Sequence, residues 1–211
     1  MRMPSMLLIA TLAGCAGMAD APLKPVTLVA QVDLPRFMGD WYVIANIPTF
    51  FEKGAHNAKD SYRLDADGTI PTTFSFNADG FDGKSKSYAS RGFILDGGKN
   101  AVWGQQYLWP IKADYRISYL SNDYSQVVIT REKRDYVWIM ARTPTSPEAD
   151  FARLKAFVGT QGYDLIPSCV QYATNRQCTM FSNLNGIWHA PRYMAKLRSK
   201  RRSGWQELRR A

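Results

Sequence analysis

Short stretches in which apolar and polar residues alternate run through the chain from Asp33 onward, and they predict β-strands joined by turns. Residues that favour turns separate several of the stretches, as in Asp65-Ala66-Asp67-Gly68 and Asp96-Gly97-Gly98. The pattern predicts eight strands, at about residues 40–47, 58–65, 69–77, 86–95, 101–109, 113–121, 124–131 and 135–142. An up-and-down antiparallel meander of eight strands can close into a barrel, which removes exposed strand edges and leaves room inside for one small ligand.

Apolar residues at helical spacing follow the last predicted strand and indicate one helix. Phe151, Leu154 and Val158 lie on one face of it, and Ser146-Pro147 before them suits a helix start with the serine as N-cap. The predicted fold class is therefore all-β: an eight-stranded up-and-down antiparallel β-barrel with one C-terminal α-helix, near residues 147–160, packed outside.

The first residues of the chain differ from the rest, because a charged start, Arg2, precedes an apolar run that ends in small residues. This order is typical of a secretory signal, and the run is too short to cross a bilayer as a helix. Leu12-Ala13-Gly14-Cys15 looks like a bacterial lipobox, which implies removal of residues 1–14 and acylation of Cys15. Ala16 stands where an aspartate is associated with inner-membrane retention, which implies the periplasmic face of the outer membrane. An ordinary signal with an incidental cysteine is the alternative.

The formal net charge of +9 is concentrated near the end of the chain, where the residues from Thr179 onward hold eight Lys and Arg residues against Glu207 alone. The rest of the chain is nearly neutral. Residues 174–211 are thus a basic tail, and two interpretations stay open for it: a solvated, disordered tail, or a basic helix at the surface of anionic lipid. We expect no nucleic-acid partner, because a secretory signal directs the chain away from the cytoplasm.

Three cysteines are too few for a disulfide scaffold and lack the paired short spacings of a structural zinc site, and with two histidines in the chain no metal centre is expected. Cys169 and Cys178 are the thiols that remain once Cys15 is acylated. Because secretion exposes them to an oxidising compartment, we predict that they pair. The alternative is that one or both stay free.

Three motifs in a fixed order resemble the signatures of the lipocalin family. Gly39-Asp40-Trp41 is similar to the first signature, Asn122-Asp123-Tyr124 to the second, and Arg142 with its neighbours to the third. The resemblance spans about residues 33–168, and the stretch from Ile47 to Gly54 is similar to the bacterial outer-membrane lipoprotein subgroup. We therefore assign residues 33–173 to a lipocalin barrel and residues 15–32 to a lipid-anchored tether.

The resemblance implies structural roles for five signature residues. In lipocalins a tryptophan of the first strand plugs the closed end of the barrel, and an arginine of the last strand lies across its ring. Trp41 and Arg142 are the matching residues, and a ligand contact by either is the alternative. The residues with implied structural roles are Gly39, Trp41, Asp123, Tyr124 and Arg142.

Strand alternation predicts which other side chains point into the barrel, counted in steps of two from Trp41, Arg142 and Tyr124. The wall residues predicted to contact a ligand are Trp138, Met140, Tyr136, Val43, Ala45 and Val128, with Phe50 and Phe51 as a lid over the mouth. The same count predicts that Ile47, Gln126 and Thr130 face inward. For each residue plain core packing is the alternative, since a small barrel can fill with its own side chains.

The predicted lining is mainly apolar, which favours a binding protein over an enzyme. The resemblance implies that a fatty acid or a lysophospholipid is held for storage or transport at the cell envelope, without a cofactor. An enzyme acting on a lipid would need a nucleophile or an acid–base pair in the cavity, and the predicted inward residues offer only Tyr136, Tyr124 and Thr130. A structural barrel filled by its own side chains is the third alternative. The identity of the ligand and the presence of a homodimer stay open.

Overall fold

The structure, a computed structural model, describes residues 23–163, which form a closed antiparallel barrel with its strands in chain order. A one-turn helix, α1 (Leu34–Phe37), precedes the barrel, and a 3₁₀ turn (Phe50–Glu52) follows its first strand. The longer helix, α2 (Glu148–Thr160), comes last. The strands are β1 (Gly39–Ile47), β2 (Ala55–Tyr62), β3 (Ile70–Ala78), β4 (Ser85–Ile94), β5 (Val102–Leu108), β6 (Ile111–Leu120), β7 (Gln126–Thr130) and β8 (Val137–Ala141). The predicted fold class is confirmed.

Most strand bounds differ from the prediction by one to three residues. The largest difference is at β2, which runs from Ala55 to Tyr62 instead of over the predicted residues 58–65. Its first residues pair with the end of β3 across an irregular stretch at Asn57, whose φ is +50°. The first residues of β2 are mostly polar and include this kink, so they lack the apolar–polar alternation that predicts a strand. The two short helical turns are also absent from the prediction.

The α1 helix closes one end of the barrel by inserting Phe37, which is completely buried. The ring centroid of Phe37 lies 5.1 Å from that of Trp41, 5.4 Å from that of Trp103 and 5.6 Å from that of Tyr62. Asp33 caps this helix by accepting a hydrogen bond from the Arg36 backbone. These residues form a packed plug, which we call the closed end.

Arg142 covers the plug from outside. Its guanidinium carbon lies 3.9 Å from the centroid of the Trp41 ring, and its nitrogens donate to the backbone oxygens of Arg36, Phe37 and Asp40. Gly39 has a φ of +92°, and a Cβ there would lie 3.4 Å from Arg142 Nη1. The position therefore suits glycine, which adopts this backbone conformation without strain and leaves room for the guanidinium.

The Asn122-Asp123-Tyr124 motif forms the turn before β7 at the same end. Asp123 accepts hydrogen bonds from Ser121 and Ser125, which hold the pKa of its carboxyl at about 2. The Tyr124 hydroxyl accepts from the Asp33 backbone, and its carbonyl accepts from Arg142. All three signature motifs therefore meet around the closed end.

The α2 helix packs outside the barrel, where Phe151, Leu154 and Val158 are buried against the outer faces of β1, β7 and β8. It begins at Glu148, so Pro147 rather than Ser146 occupies the N-cap position. The prediction of Ser146 as the cap is wrong by one residue. Glu148 and Asp150 in the first turn place negative charge where the helix dipole favours it.

Part of the predicted tether belongs to the folded domain. Val26 and Val32 are buried, and the backbone of Val29 donates to Ile117 of β6. At the start of the described chain, Arg134 donates to the backbone oxygen of Lys24. Arg134 lies in the turn between β7 and β8, so Lys24 lies at the end of the barrel opposite the plug.

Several predictions concern residues outside the described range: the signal at residues 1–14, the acylated Cys15, the pair Cys169 and Cys178, and the basic tail at 174–211. Within residues 23–163, no helix is long and apolar enough to cross a membrane. Over the same residues, His, Cys, Asp and Glu side chains do not gather in the groups of three that a metal ion needs.

Candidate functional site

A cavity of about 370 Å³ occupies the half of the barrel away from the plug. This volume lies within the range of small-molecule sites, about 300–1,000 Å³. Most of its wall is aromatic and apolar, with contributions from the 3₁₀ turn and from strands around the barrel. The barrel is therefore not filled by its own side chains.

Five of the predicted ligand-contact residues lie in the wall of this cavity: Tyr136, Trp138, Met140, Phe50 and Phe51. Trp138 and Met140 alternate along β8 as expected, and Tyr136 lies just before that strand, nearer the mouth. Val43 faces the interior but is packed in the core below the cavity rather than in its wall. Whether these side chains contact a ligand remains a prediction.

Ala45 does not face the interior, so that prediction is wrong, and the same holds for Ile47. Both belong to the cluster that packs beneath α2. Val43 pairs with Met140, but Ala45 pairs with Ile139, which means that β1 contains a bulge between them. An extra residue in one strand reverses the alternation beyond it, because side chains alternate with a period of two.

Val128 is also misassigned, for a different reason. It packs against the α2 side with Ile139, while its neighbours Val127 and Ile129 face the interior. The count started from Tyr124, which has a φ of +60° in the turn before β7. Alternation holds only within a strand, so counting across this turn misplaces Val128 along with Gln126 and Thr130.

A carboxyl group in the middle of the wall, that of Asp60, is absent from the prediction. Asp60 follows Ala58 and precedes Tyr62 on the inward face of β2, and it pairs with Trp41 across the sheet. The barrel encloses the carboxyl, and burial together with the charge of Glu52 raises its pKa to about 7. A hydrogen bond with Tyr62 opposes the shift.

Glu52 is the second carboxyl of the cavity, and both of its oxygens are engaged. One accepts from the indole of Trp138 at 2.7 Å, and the other accepts from the Thr49 backbone at 2.6 Å. Burial raises the pKa of Glu52, and these hydrogen bonds oppose the shift. Glu52 therefore fixes the Trp138 ring in the wall and ties the 3₁₀ turn to β8.

Three more polar groups reach the wall. The hydroxyls of Tyr62 and Tyr115 lie 2.8 Å apart, and burial raises the pKa of both phenols well above 10, so they stay neutral. Gln105 is 2% exposed and donates to Ser90 at 2.7 Å, which leaves its Oε1 without a hydrogen-bond partner among the described residues. The interior thus presents more acceptors than the sequence pattern indicates.

Arg131 supplies the cationic side chain of the described lining. Its guanidinium is 3.1 Å from the Asp135 carboxylate and lies 5.2 Å from the ring centroid of Tyr136. The positive charge is therefore neutralised by Asp135 at the rim. The cavity as a whole is acidic.

The acid–base groups of the interior lie outside the three strands along which alternation predicts the facing. The inward face of β2 has the same period in Ala58, Asp60 and Tyr62, and this signal identifies Asp60. Glu52 and Gln105 carry no such signal, because one lies in a turn and the other on a strand whose facing the sequence does not fix. The expectation that the cavity offers no acid–base group beyond Tyr136, Tyr124 and Thr130 is wrong.

The mouth of the cavity is bordered by exposed apolar side chains on two loops. Phe50 and Phe51 lie in the 3₁₀ turn, and Leu108, Trp109 and Ile111 lie at the turn between β5 and β6. Phe51 also contacts Tyr88, with ring centroids 5.9 Å apart. A ring of apolar side chains around a mouth is typical of a surface that meets apolar molecules.

Comparison with known proteins gives a family match that covers most of the described fold. Residues 32–169 match the family model of the lipocalin-like domain. The chain is 26% identical over 168 residues to Outer membrane lipoprotein Blc of Escherichia coli (strain K12), covering 78% of this chain and 94% of that relative.

Relatives from eukaryotes match over a similar range. Temperature-induced lipocalin-1 of Arabidopsis thaliana is 30% identical over 148 residues, covering 67% of this chain and 80% of the relative. Apolipoprotein D of Bos taurus is 28% identical over 166 residues, covering 72% of this chain and 86% of the relative.

Proposed function

The chain belongs to the lipocalin family, and on that basis we propose that it is a lipid-anchored binding protein. It holds a small hydrophobic ligand, of the size of a fatty acid or a lysophospholipid, in the barrel for storage or transport at the cell envelope. The observation that carries the proposal is the cavity of about 370 Å³ inside a closed barrel, with a mainly aromatic and apolar wall. Burial of a hydrocarbon chain there contributes about 25 cal/mol for each Å² removed from water.

Replacement of Trp138 by alanine is expected to weaken ligand binding about tenfold, since the loss of one large aromatic contact costs more than about 1 kcal/mol. The measurement is a titration of the chain from residue 16 to 211 with 1,6-diphenylhexatriene, a neutral apolar molecule whose own fluorescence rises on burial. Leu95→Ala is the control, because Leu95 is 57% exposed, follows β4 at the closed end of the barrel and lies outside the wall.

Saturable micromolar binding that weakens in Trp138→Ala and not in Leu95→Ala supports the proposal. Absence of binding by cis-parinaric acid, by lysophosphatidylcholine and by a neutral apolar probe would instead favour a structural barrel that holds no ligand.

A place at the membrane is supported from two sides. The bacterial relative is by its name an outer membrane lipoprotein, and Cys15 stands in a sequence that looks like a lipobox.

Replacement of Cys15 by serine is expected to remove the protein from the outer-membrane fraction. Each buried methylene of an acyl chain contributes about 0.8 kcal/mol, so the loss of several chains removes essentially all of the anchoring. Cys178→Ser is the matched control and should stay in the outer-membrane fraction. Retention of Cys15→Ser in the outer-membrane fraction would mean that the anchor lies elsewhere, because a signal that stays uncleaved would hold the chain only at the inner membrane.

An enzyme acting on a lipid is the second candidate, and the observation that favours it is Asp60. A carboxyl with a pKa of about 7, enclosed beside two phenols, has the properties of a general acid or base. The two candidates differ in what happens to a bound lipid. Mass spectrometry of lipid recovered after incubation gives an unchanged mass for a carrier, and a changed mass that requires Asp60 for an enzyme.

A further inference from the structure

Two carboxyl groups line the cavity, and their acceptor capacity bears on the ligand. The Asp60 carboxylate accepts a hydrogen bond from one phenol, whereas the two oxygens of a carboxylate offer about four acceptor sites. Polar groups in protein interiors are nearly always hydrogen-bonded, so a carboxylate with acceptor sites to spare in a ligand cavity indicates a donor on the ligand. The expected ligand therefore donates hydrogen bonds at its buried end.

The charges around the cavity indicate what kind of donor group the ligand carries. Asp60 and Glu52 bring two carboxyls into the enclosed space, while the guanidinium of Arg131 is paired with Asp135 at the rim. A buried anion without a counter-ion is strongly disfavoured, and two carboxyls nearby add repulsion. The carboxylate of a fatty acid is thus poorly suited to the interior, whereas a cation there would gain a counter-ion.

Asp60 rather than Glu52 has a carboxyl group that is available to accept hydrogen bonds from a ligand. Both oxygens of Glu52 accept hydrogen bonds from the protein, one from Trp138 and one from Thr49. The carboxyl of Asp60 lies in the wall with a single phenol as its hydrogen-bonding neighbour. Charge-assisted hydrogen bonds between an ammonium and a carboxylate are roughly twice as strong as neutral ones.

From these contacts we propose that the cavity takes an amphiphile whose buried end is a protonated primary amine, with Asp60 as its counter-ion. The inference rests on the proposed ligand-binding function and specifies the chemical class of the ligand. The alkyl chain lies along the aromatic wall toward the mouth, and the ammonium group lies against Asp60, next to the Tyr62–Tyr115 pair.

The test compares three amphiphiles of equal chain length, dodecylamine, dodecanol and dodecanoate, by isothermal titration calorimetry with the chain from residue 16 to 211. Each is used below its critical micelle concentration at pH 8. Dodecylamine is expected to bind about tenfold or more tightly than dodecanoate, because one is attracted and the other repelled by the interior carboxyls. Dodecanol reports the contribution of apolar burial without a charge.

The matched variants are Asp60→Asn and Asp82→Asn, which remove one carboxylate from the cavity and one from the exposed turn between β3 and β4. Asp60→Asn is expected to weaken dodecylamine binding about tenfold, the loss of a charge-assisted hydrogen bond, and to leave dodecanol within about twofold. Asp82→Asn is expected to change none of the three affinities. Unchanged dodecanol binding also verifies that the Asp60 variant keeps its cavity.

The unmodified protein provides a second test. As the pH falls from 8 to 5, protonation of Asp60 removes the counter-charge, while an alkylamine stays protonated like a lysine side chain. Dodecylamine affinity should fall and dodecanol affinity should not. Glu52 also faces the site and would act in the same direction, whereas Tyr62, Tyr107 and Tyr115 stay neutral over this range.

The outcomes separate the two proposals. If dodecanol binds but dodecanoate binds as tightly as dodecylamine, or if Asp60→Asn leaves their ratio unchanged, the amine inference is overturned and the binding function stands. If none of the three binds, the ligand-binding function itself fails.

Discussion

Replacement of Phe37 by alanine is expected to lower the free energy of unfolding by about 3–5 kcal/mol, the loss typical of removing a buried aromatic side chain. Phe37 is completely buried and contacts the rings of Trp41, Trp103 and Tyr62. Its removal leaves a cavity in the plug, and the surrounding rings lose their contacts with it. The measurement is a urea unfolding curve, extrapolated linearly to water.

Phe50→Ala is the matched control for this prediction. It makes the same change at the opposite end of the barrel, where the side chain is 77% exposed, and it should alter stability by less than about 0.5 kcal/mol. Equal effects of the two variants would mean that the plug does not stabilise the barrel in the way its packing indicates.

Replacement of Asp60 by asparagine is expected to raise the free energy of unfolding by about 3–4 kcal/mol at pH 8, and the gain should disappear toward pH 4. The folded-state pKa of Asp60, about 7, lies about three units above the usual value of 3.8, and each unit corresponds to about 1.4 kcal/mol. Between these two values the folded protein binds the proton more tightly than the unfolded chain does. The stability that the protonated carboxyl contributes is therefore complete below pH 3.8 and is lost as the pH rises through 7.

Urea unfolding of the wild type and of Asp60→Asn at several pH values from 4 to 8 measures this difference. Asp82→Asn provides the baseline, because its carboxyl is exposed and its removal should change stability by less than about 0.5 kcal/mol at every pH. A stability difference for Asp60→Asn that does not depend on pH would contradict the raised pKa.

The closed end and the cavity wall have opposite energetic roles. The closed end is packed with aromatic rings and held by the hydrogen bonds of Arg142, so it contributes stability. At neutral pH the interior near Asp60 lowers stability, because a carboxylate is kept away from water. A titratable group that lowers the stability of the fold and faces a cavity is typical of a functional site.

Much of the closed end could be predicted from sequence, because its residues occur in short local motifs. Gly39-Asp40-Trp41 marks the start of β1, and Arg142 directly follows β8, so motif and position coincide. In the structure the guanidinium of Arg142 lies over the Trp41 ring. Alternation along β8 was sufficient to orient Trp138 and Met140, because that strand is regular.

The facing of β1 beyond Val43 could not be predicted in the same way. The bulge between Val43 and Ala45 exists because β1 pairs with β8, a strand about a hundred residues later in the chain. Nothing in the local sequence of β1 indicates the extra residue. Ala45 therefore joins the cluster beneath α2, where its small side chain packs with Ile139.

The sequence by itself determined the strands, most of the turns between them, the outer helix and the pair of Trp41 and Arg142 at the closed end, because each is encoded in a local period or motif. The tertiary structure alone decided the chemistry of the cavity. Glu52, Asp60, Gln105 and Tyr115 come from a turn and three different strands, and they meet only when the barrel closes. Burial then raises the pKa of Asp60, and a local sequence cannot encode that shift because it depends on the atoms that surround the carboxyl.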